Sequence, residues 1–417
     1  MDLTIHNALH DKTLEIVHLG IKDGKISTLS SDEIPAGEKS IDAKGAMVSP
    51  ALIEPHFHIE NALLWDTDNL NNSGTLLEAI DIYADVKVKL TDEDIMQRAT
   101  QTIHEALKHG TLWMRNHVDI DQYARLDLLR GVVAARDKFK DVFDLQIIAF
   151  PQHGLAKNPE SVDLMWQAME NGAELVGGIP HHEASMEDGA KQIEIIFEIA
   201  KKYNTNLDVH IDETDDPYWM SLELLADKTI EEGFQGRVTA GHCTSMAAWD
   251  TKTLNRVIDK VKKAEISVVS NTPINLLLQG RSDEILVRRG IARIKELIEA
   301  GVNVCCGQDD LMNMFYPFGR MDPLEVANIA AHAGHLTSPE EIDVVFDMPR
   351  YNAARNIGLK NYGVHEGADA NLILLNAKTA VEALRLKPER LYVIREGKIL
   401  VQNTVKTKYA DWIPAAN

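Results

Sequence analysis

The sequence predicts an α/β fold: a (β/α)8 TIM barrel with a small β-sandwich domain built from both chain ends. Three observations lead there. Apolar strand-like runs alternate with amphipathic stretches through the middle of the chain. Both ends instead show short strands joined by tight turns. Histidines and carboxylates fall where the middle runs end, which is where a barrel gathers its pocket. An open sheet is the competing arrangement.

Residues 1–50 contain Leu3-Thr4-Ile5, Glu15–Leu19 and Lys25–Leu29, with Asp23-Gly24 as a turn signal. The tail repeats this texture in Ala370–Leu375, Leu391–Ile394 and Lys398–Val401, around Glu396-Gly397. The expected division is therefore a composite β domain from 1–50 and 363–417, and a catalytic barrel from 51–362. The first barrel strand is read from Ala46–Ile53. Seven more runs follow: Thr111–Val118, Leu145–Phe150, Leu175–Ile179, Leu207–Ile211, Val238–His242, Ile266–Asn271 and Val302–Gly307. Helices are expected over Thr91–His109, Ala190–Tyr203 and Ser282–Ala300, the last ending on Gly301.

A length of 417 residues suits one large domain with a smaller companion. The formal charge of −21 argues against nucleic acid or an anionic membrane as partner. Only three cysteines occur, Cys243, Cys305 and Cys306, which points to reduced thiols rather than a disulfide framework. No apolar run reaches the ~18–20 residues of a membrane span. The opening residues lack a basic start followed by an apolar block. A cytoplasmic protein acting on a small molecule, and forming a homo-oligomer, is the expectation.

The run Glu54-Pro55-His56-Phe57-His58 carries the most chemistry. Side chains two apart on a strand share a face, so both imidazoles can reach one ion. The fifth run ends in His210-Ile211-Asp212-Glu213, offering a third nitrogen and a carboxyl group beyond it. Metal-assisted hydrolysis needs such a carboxyl to take a proton from water and pass it to the leaving nitrogen. His242 ends the sixth run, and could ligate the metal, hydrogen-bond the attacking water or pack; the second role is favoured. Asp309-Asp310 follows the eighth run, where one carboxylate would complete a His/His/His/Asp set and the other touch water or substrate. A divalent ion lowers the pKa of its water from about 15.7 to about 7, which is the reason to assemble such residues. A histidine-rich set favours Zn or Fe(II) over Mg. The fourth run, Glu174–His182, has no lysine to bridge two metals, so one ion is expected, with His181 and His182 outside the ligand set. His117 is expected just after the second strand, behind the ligands. Asp208 and Asp212 are set aside, the first deep in its strand and the second for backbone or loop contacts.

These segments resemble the amidohydrolase superfamily and, within it, the bacterial cytosine deaminase family. The likeness extends to Asn72–Leu76, His117-Val118-Asp119, Phe150–Gly154, Leu278–Arg281 and Tyr316-Pro317, in the family's order and over nearly the whole chain. It implies one divalent metal held by His56, His58, His210 and Asp309. It also implies that Glu213 shuttles protons, His242 orients or deprotonates water, Gln152 meets the carbonyl side of a pyrimidine and Asp310 the opposite edge. Phe150 and Leu76 would line the pocket. The implied reaction is hydrolytic deamination of a cyclic amidine, cytosine to uracil and ammonia.

The chain departs from the family pattern at Glu60, where Asp is usual, at His153, where an acidic residue is usual, and over Leu311–Tyr316. In that last run Phe315 stands where an indole would shape the pocket, enlarging it and removing a donor. Creatinine, isocytosine, 5-methylcytosine and aminotriazines are therefore alternative rings. Opening of a cyclic amide is a third reading, opposed by the missing lysine. A barrel kept only for assembly would show a damaged ligand or acid/base position, and none is damaged.

Overall fold

Every residue of Leu52–Phe57 is buried, as a barrel strand covered on both faces requires. The computed structural model describes residues 1–65 and 70–414, so the last residues of the expected composite domain, 415–417, lie outside the described residues. The barrel strands are β1 (Leu52–Phe57), β2 (Thr111–Asp119), β3 (Asp144–Phe150), β4 (Leu175–Val176), β5 (Leu207–Ile211), β6 (Val238–His242), β7 (Ser267–Ser270) and β8 (Val304–Cys306). They pair in sequence order, all parallel. A parallel bridge between Phe57 and Asp309 brings the first and last strands together. There the His58 amide donates to Asp309 O at 3.1 Å and the Asp309 amide to His56 O at 3.0 Å.

Three expected elements take a different form. The run Ala46–Ile53 is not one strand: Met47–Pro50 pairs within the sheet of the chain termini, and Leu52–Phe57 belongs to the barrel. β4 is cut to two residues, because Gly177 and Gly178 offer no side chains to pack and Pro180 starts a 3-10 turn, Pro180–His182. The stretch 282–293 is irregular rather than helical. Asp283 takes the backbone N–H of Arg288 at 3.0 Å and its guanidinium at 2.7 and 2.8 Å, while Leu286 and Gly290 adopt positive φ. Those local bonds replace the helical ladder.

Three of the barrel helices are capped by side chains. Thr75 accepts from Glu78 N ahead of α1 (Leu76–Lys87), and Thr91 with Asp94 forms a capping box on α2 (Asp92–Lys108). Ser185 caps α3 (Met186–Tyr203), which starts four residues before its expected first residue, Ala190. Also used below are α4 (Ser221–Glu231), α5 (Thr272–Leu278) and α6 (Ile294–Glu299).

By contact, the chain divides into Ala51–Tyr362 and a second unit made of Met1–Pro50 with Gly363–Asn417. That second unit is hydrogen-bonded as one eight-stranded mixed sheet. Its strand Leu3–His10 pairs with Ile16–Lys22 along one edge. The other edge is shared, with Lys39–Asp42 along Leu3–His6 and Met47–Pro50 along Leu9–His10. Its core includes Ile5, Leu19, Ile21, Val48, Leu372 and Ile394.

Beneath the barrel mouth, Lys87 at the end of α1 is buried between the carboxylates of Asp119 and Asp121, with His153 Nδ1 2.7 Å from Asp121. Burial works against the Lys87 charge, but the two carboxylates raise its pKa. Removing one member of a buried charge cluster leaves the others uncompensated. Lys87→Met should therefore lower stability by about 3–5 kcal/mol in urea denaturation. A loss below about 1 kcal/mol would mean that the cluster does not hold α1 in place.

Candidate active site

The closing register of the barrel sets the geometry. His56 is on β1 and His58 one residue beyond it, His210 is on β5, and Asp309 follows β8. Nε2 of His210 lies 3.1 Å from Nε2 of His56 and 3.1 Å from Nε2 of His58. Asp309 Oδ1 is 3.3 Å from His56 Nε2 and 3.5 Å from His58 Nε2. Donor atoms on a tetrahedral ion with bonds of ~2.0–2.1 Å would stand about 3.3 Å apart. All four side chains are buried, and Asp309 Oδ1 has no hydrogen-bond donor. Facing lone pairs and an orphaned carboxylate oxygen in a dry site fit a divalent cation.

Close backbone approach makes this packing possible. A Cβ on Gly241 would lie 2.8 Å from His56 Cε1, and one on Gly307 would lie 2.5 Å from Asn271 Oδ1. Left-handed backbone clusters here too, at Asp212 (φ 49°), His242 (φ 67°) and Asp309 (φ 70°). Asp212 compensates by accepting from Ser221 N and Leu222 N at the start of α4. Glu54 bridges the first and last strands, accepting from His56 N and Gln308 N. Burial raises its pKa to about 8 against those bonds.

Glu213 Oε1 stands 3.1 Å from His242 Nδ1, and His242 Nε2 is 3.7 Å from Asp309 Oδ2. Asn275 Nδ2, on α5, donates to Glu213 Oε1 at 3.0 Å, and Asn271 Nδ2 reaches His242 Nε2 at 3.2 Å. Burial opposes the imidazolium of His242, but the Glu213 and Asp309 charges raise its pKa. Burial, with His117 nearby, lowers His56 to about 3. His58 is raised to about 9, because the carboxylates of Glu60, Asp310 and Asp309 outweigh its burial. Asp310 is pushed up to about 7 by burial and by Asp309. For Asp309 burial pulls the other way, and His242, His56 and His58 hold it well below the usual range.

A narrow pocket opens over this cluster. It is bordered by His58, Asn61, Leu76, Gln152, His210, Glu213, Ile274, Asp309, Asp310 and Phe315. Leu76, Gln152, Phe315, Glu213 and Asp310 are thus brought together around one pocket. Phe150 is a correction: it does not border the cavity but lies flat on His210, ring centroids 4.0 Å apart at 19°. Its side chain points into the layer that backs the histidines, where it is fully buried. His117 lies inside β2 rather than after it, its ring 4.1 Å from that of His56. Glu60 accepts from Asn116 Nδ2 and from Asp119 N, and Asp119 in turn receives the backbone N–H of Gln152 at 3.4 Å. Asp208 pairs with Arg115 at 3.0 Å inside the barrel. Asn61, Ile274 and the amides Asn271, Asn275 and Asn313 were missed, since an amide shows neither charge nor periodicity. The one available signal was Asn61 itself, three residues past His58.

A parallel barrel with a buried three-histidine, one-aspartate cluster beside a Glu–His pair defines a metal-dependent hydrolase acting on C–N bonds. The chain belongs to the amidohydrolase family, whose profile matches residues 39–406. The 5-methylcytosine deaminase of Klebsiella pneumoniae, solved with 5-fluorocytosine, superposes with a TM-score of 0.94 at 34% identity over 98% of this chain and 99% of that one. The N-isopropylammelide isopropylaminohydrolase of Burkholderia multivorans gives 0.84 at 27% identity, covering 96% and 98%. The N-isopropylammelide isopropyl amidohydrolase of Pseudomonas sp. (strain ADP) is 29% identical over 413 residues, 97% of this chain and 98% of its own. Members of this family use a divalent metal, and the four residues above fit one. No helix among the described residues is long and apolar enough to cross a membrane.

Elemental analysis of the purified protein should find about one divalent ion per chain. His210→Ala should lower that content severalfold, whereas Gln152→Ala should leave it intact. Equal metal in the two variants would remove His210 from the ligand set.

Proposed function

We propose that this chain catalyses hydrolytic deamination of a cytosine-type ring, with cytosine to uracil and ammonia as the parent reaction. One observation carries the reading: the Glu213–His242 pair, 3.1 Å apart, stands directly against the four-donor cluster, while Gln152 borders the same cavity. The similarity to a 5-methylcytosine deaminase supports the ring class.

In this reading His56, His58, His210 and Asp309 hold one Zn or Fe(II) ion. When bound, the ion supplies a water that is nucleophilic at neutral pH. Glu213, fixed by the Asn275 amide, takes the water's proton and delivers it to the ring nitrogen and then to the departing amine. His242 holds the water's orientation through the side facing Asp309. Gln152, whose backbone is tied to Asp119, hydrogen-bonds the ring carbonyl, and Asp310 meets the opposite edge. Leu76 and Phe315 form the apolar walls that hold the ring. Free, buried thiols at Cys243, Cys305 and Cys306 support a cytoplasmic setting.

A second reading, an aminotriazine or another cyclic amidine as the preferred ring, is supported by the two N-isopropylammelide hydrolases among the relatives.

The holoenzyme should release ammonia and form uracil from cytosine. Glu213→Gln should retain the metal while kcat falls about 10²–10⁴-fold. Near-parental turnover in that variant would remove Glu213 from the proton path. Robust turnover of creatinine or an ammelide, with none of cytosine, would transfer the assignment to the second reading.

A further inference from the structure

Asn313 is fully buried just past Asp310, and every hydrogen-bonding position of its amide is used. Its Oδ1 accepts from the backbone N–H groups of Phe315 and Tyr316, both at 3.0 Å. Two backbone donors fix which end of this amide is oxygen. Its Nδ2 must then face the other way, where it donates to Asn61 Oδ1 at 2.7 Å and to Asp310 Oδ1 at 2.5 Å. The orientation of Asn61 follows in turn. Its oxygen is taken by Asn313, its Nδ2 has no acceptor among the described residues, and the residue borders the cavity beside Asp310.

From this we infer that Asn61 is a specificity-determining residue. It presents a hydrogen-bond donor to the ring edge opposite the carbonyl, and Asn313 is the positioning residue that sets that polarity. The inference rests on the deaminase reading above. In cytosine that edge is a C–H, which leaves a buried donor without a partner. A ring nitrogen there satisfies it. The substrate class singled out is therefore an aminated cyclic amidine with an acceptor at that edge, of which 4-amino-1,3,5-triazin-2-one is the simplest case. The reaction is unchanged: water adds at the carbon bearing the amino group, the C–N bond breaks, and ammonia leaves with the transferred proton to give the dione.

The test compares kcat/KM for ammonia release from 4-amino-1,3,5-triazin-2-one and from cytosine, using metal-loaded enzyme. Taking the ratio within each variant removes the greater intrinsic reactivity of the triazine. Asn61→Leu keeps the side-chain size and deletes the donor, so the ratio should fall about tenfold, the worth of one buried hydrogen bond. Asn313→Asp still accepts from Phe315 N and Tyr316 N but cannot donate. Asn61 then turns its nitrogen toward residue 313 and its oxygen toward the cavity, and the ratio should fall again. Because Asn313 also bonds Asp310, the double variant Asn61→Leu/Asn313→Asp separates the two routes: a ratio no lower than that of Asn61→Leu alone keeps the effect with Asn61, whereas a further fall assigns it to Asp310 and overturns the positioning role. Ammonia from both rings with an unchanged ratio in both variants would overturn the assignment of Asn61 alone. Ammonia from neither ring would overturn the deaminase reading and this inference with it.

Discussion

Closure of the barrel is the constraint on which the site depends. The paired backbone bonds between His56, His58 and Asp309 do more than join the first strand to the last. They bring a carboxylate to a place where two imidazole nitrogens already converge from β1 and a third from β5. Without a cation, three nitrogens and a carboxylate within a few ångströms of one another form an unfavourable arrangement in a dry interior. That cost is held in place by the strand ladder. Removing the bridge between β1 and the segment after β8 would let the donors drift apart. Glu54 reinforces the same seam, holding the backbone on both sides of it through a carboxyl that burial brings near neutrality.

Polar groups behind the cluster serve this geometry as well. Arg115 fills the barrel interior, donating to Asp208, Gln146 and Thr239, so the carboxylate of Asp208 does not face the histidines uncompensated. Asp212 ties the end of β5 to α4 and keeps the left-handed turn that carries Glu213 toward the cavity. A second chain of contacts runs from His58 through Glu60 and Asp119 to the backbone of Gln152. It links a residue of the four-donor cluster to Gln152, which borders the pocket, by way of the Lys87 ion cluster. Catalytic rate depends on such prior fixing, since misplacement by about 1 Å can cost on the order of a hundredfold.

Much of this was legible in the sequence, and what escaped has physical reasons. Period-two spacing in His56-Phe57-His58 and histidines or carboxylates at β5, β6 and β8 reveal the cluster because ionisable residues at strand ends are informative in a barrel. The break of Ala46–Ile53 into two strands was not legible, since an apolar run does not say where one sheet stops and another starts. Nor was the irregular course of 282–293, which an Asp283–Arg288 ion pair and two positive-φ residues decide against a helical pattern. Amides were the main omission. Asn61, Asn271, Asn275 and Asn313 act through direction, and only coordinates reveal which end of an amide faces which neighbour.

That difference bears on how substrate choice arises in this fold. In the proposed reaction the donor cluster and the Glu213–His242 pair act on a carbon bearing a leaving nitrogen and are indifferent to the far side of the ring. Discrimination must come from groups that meet that far side. Apolar walls such as Leu76, Ile274 and Phe315 distinguish rings mainly by size, worth ~1–3 kcal/mol per methylene, whereas a buried hydrogen-bonding group left unpaired rejects the wrong ring far more strongly. The amide of Asn313 supplies two N–H bonds that no carboxylate can make. The polarity that the neighbouring Asn61 offers is thereby fixed without involving any residue proposed to hold the metal or move a proton. Specificity on such a barrel can thus shift through a residue that never touches the ring.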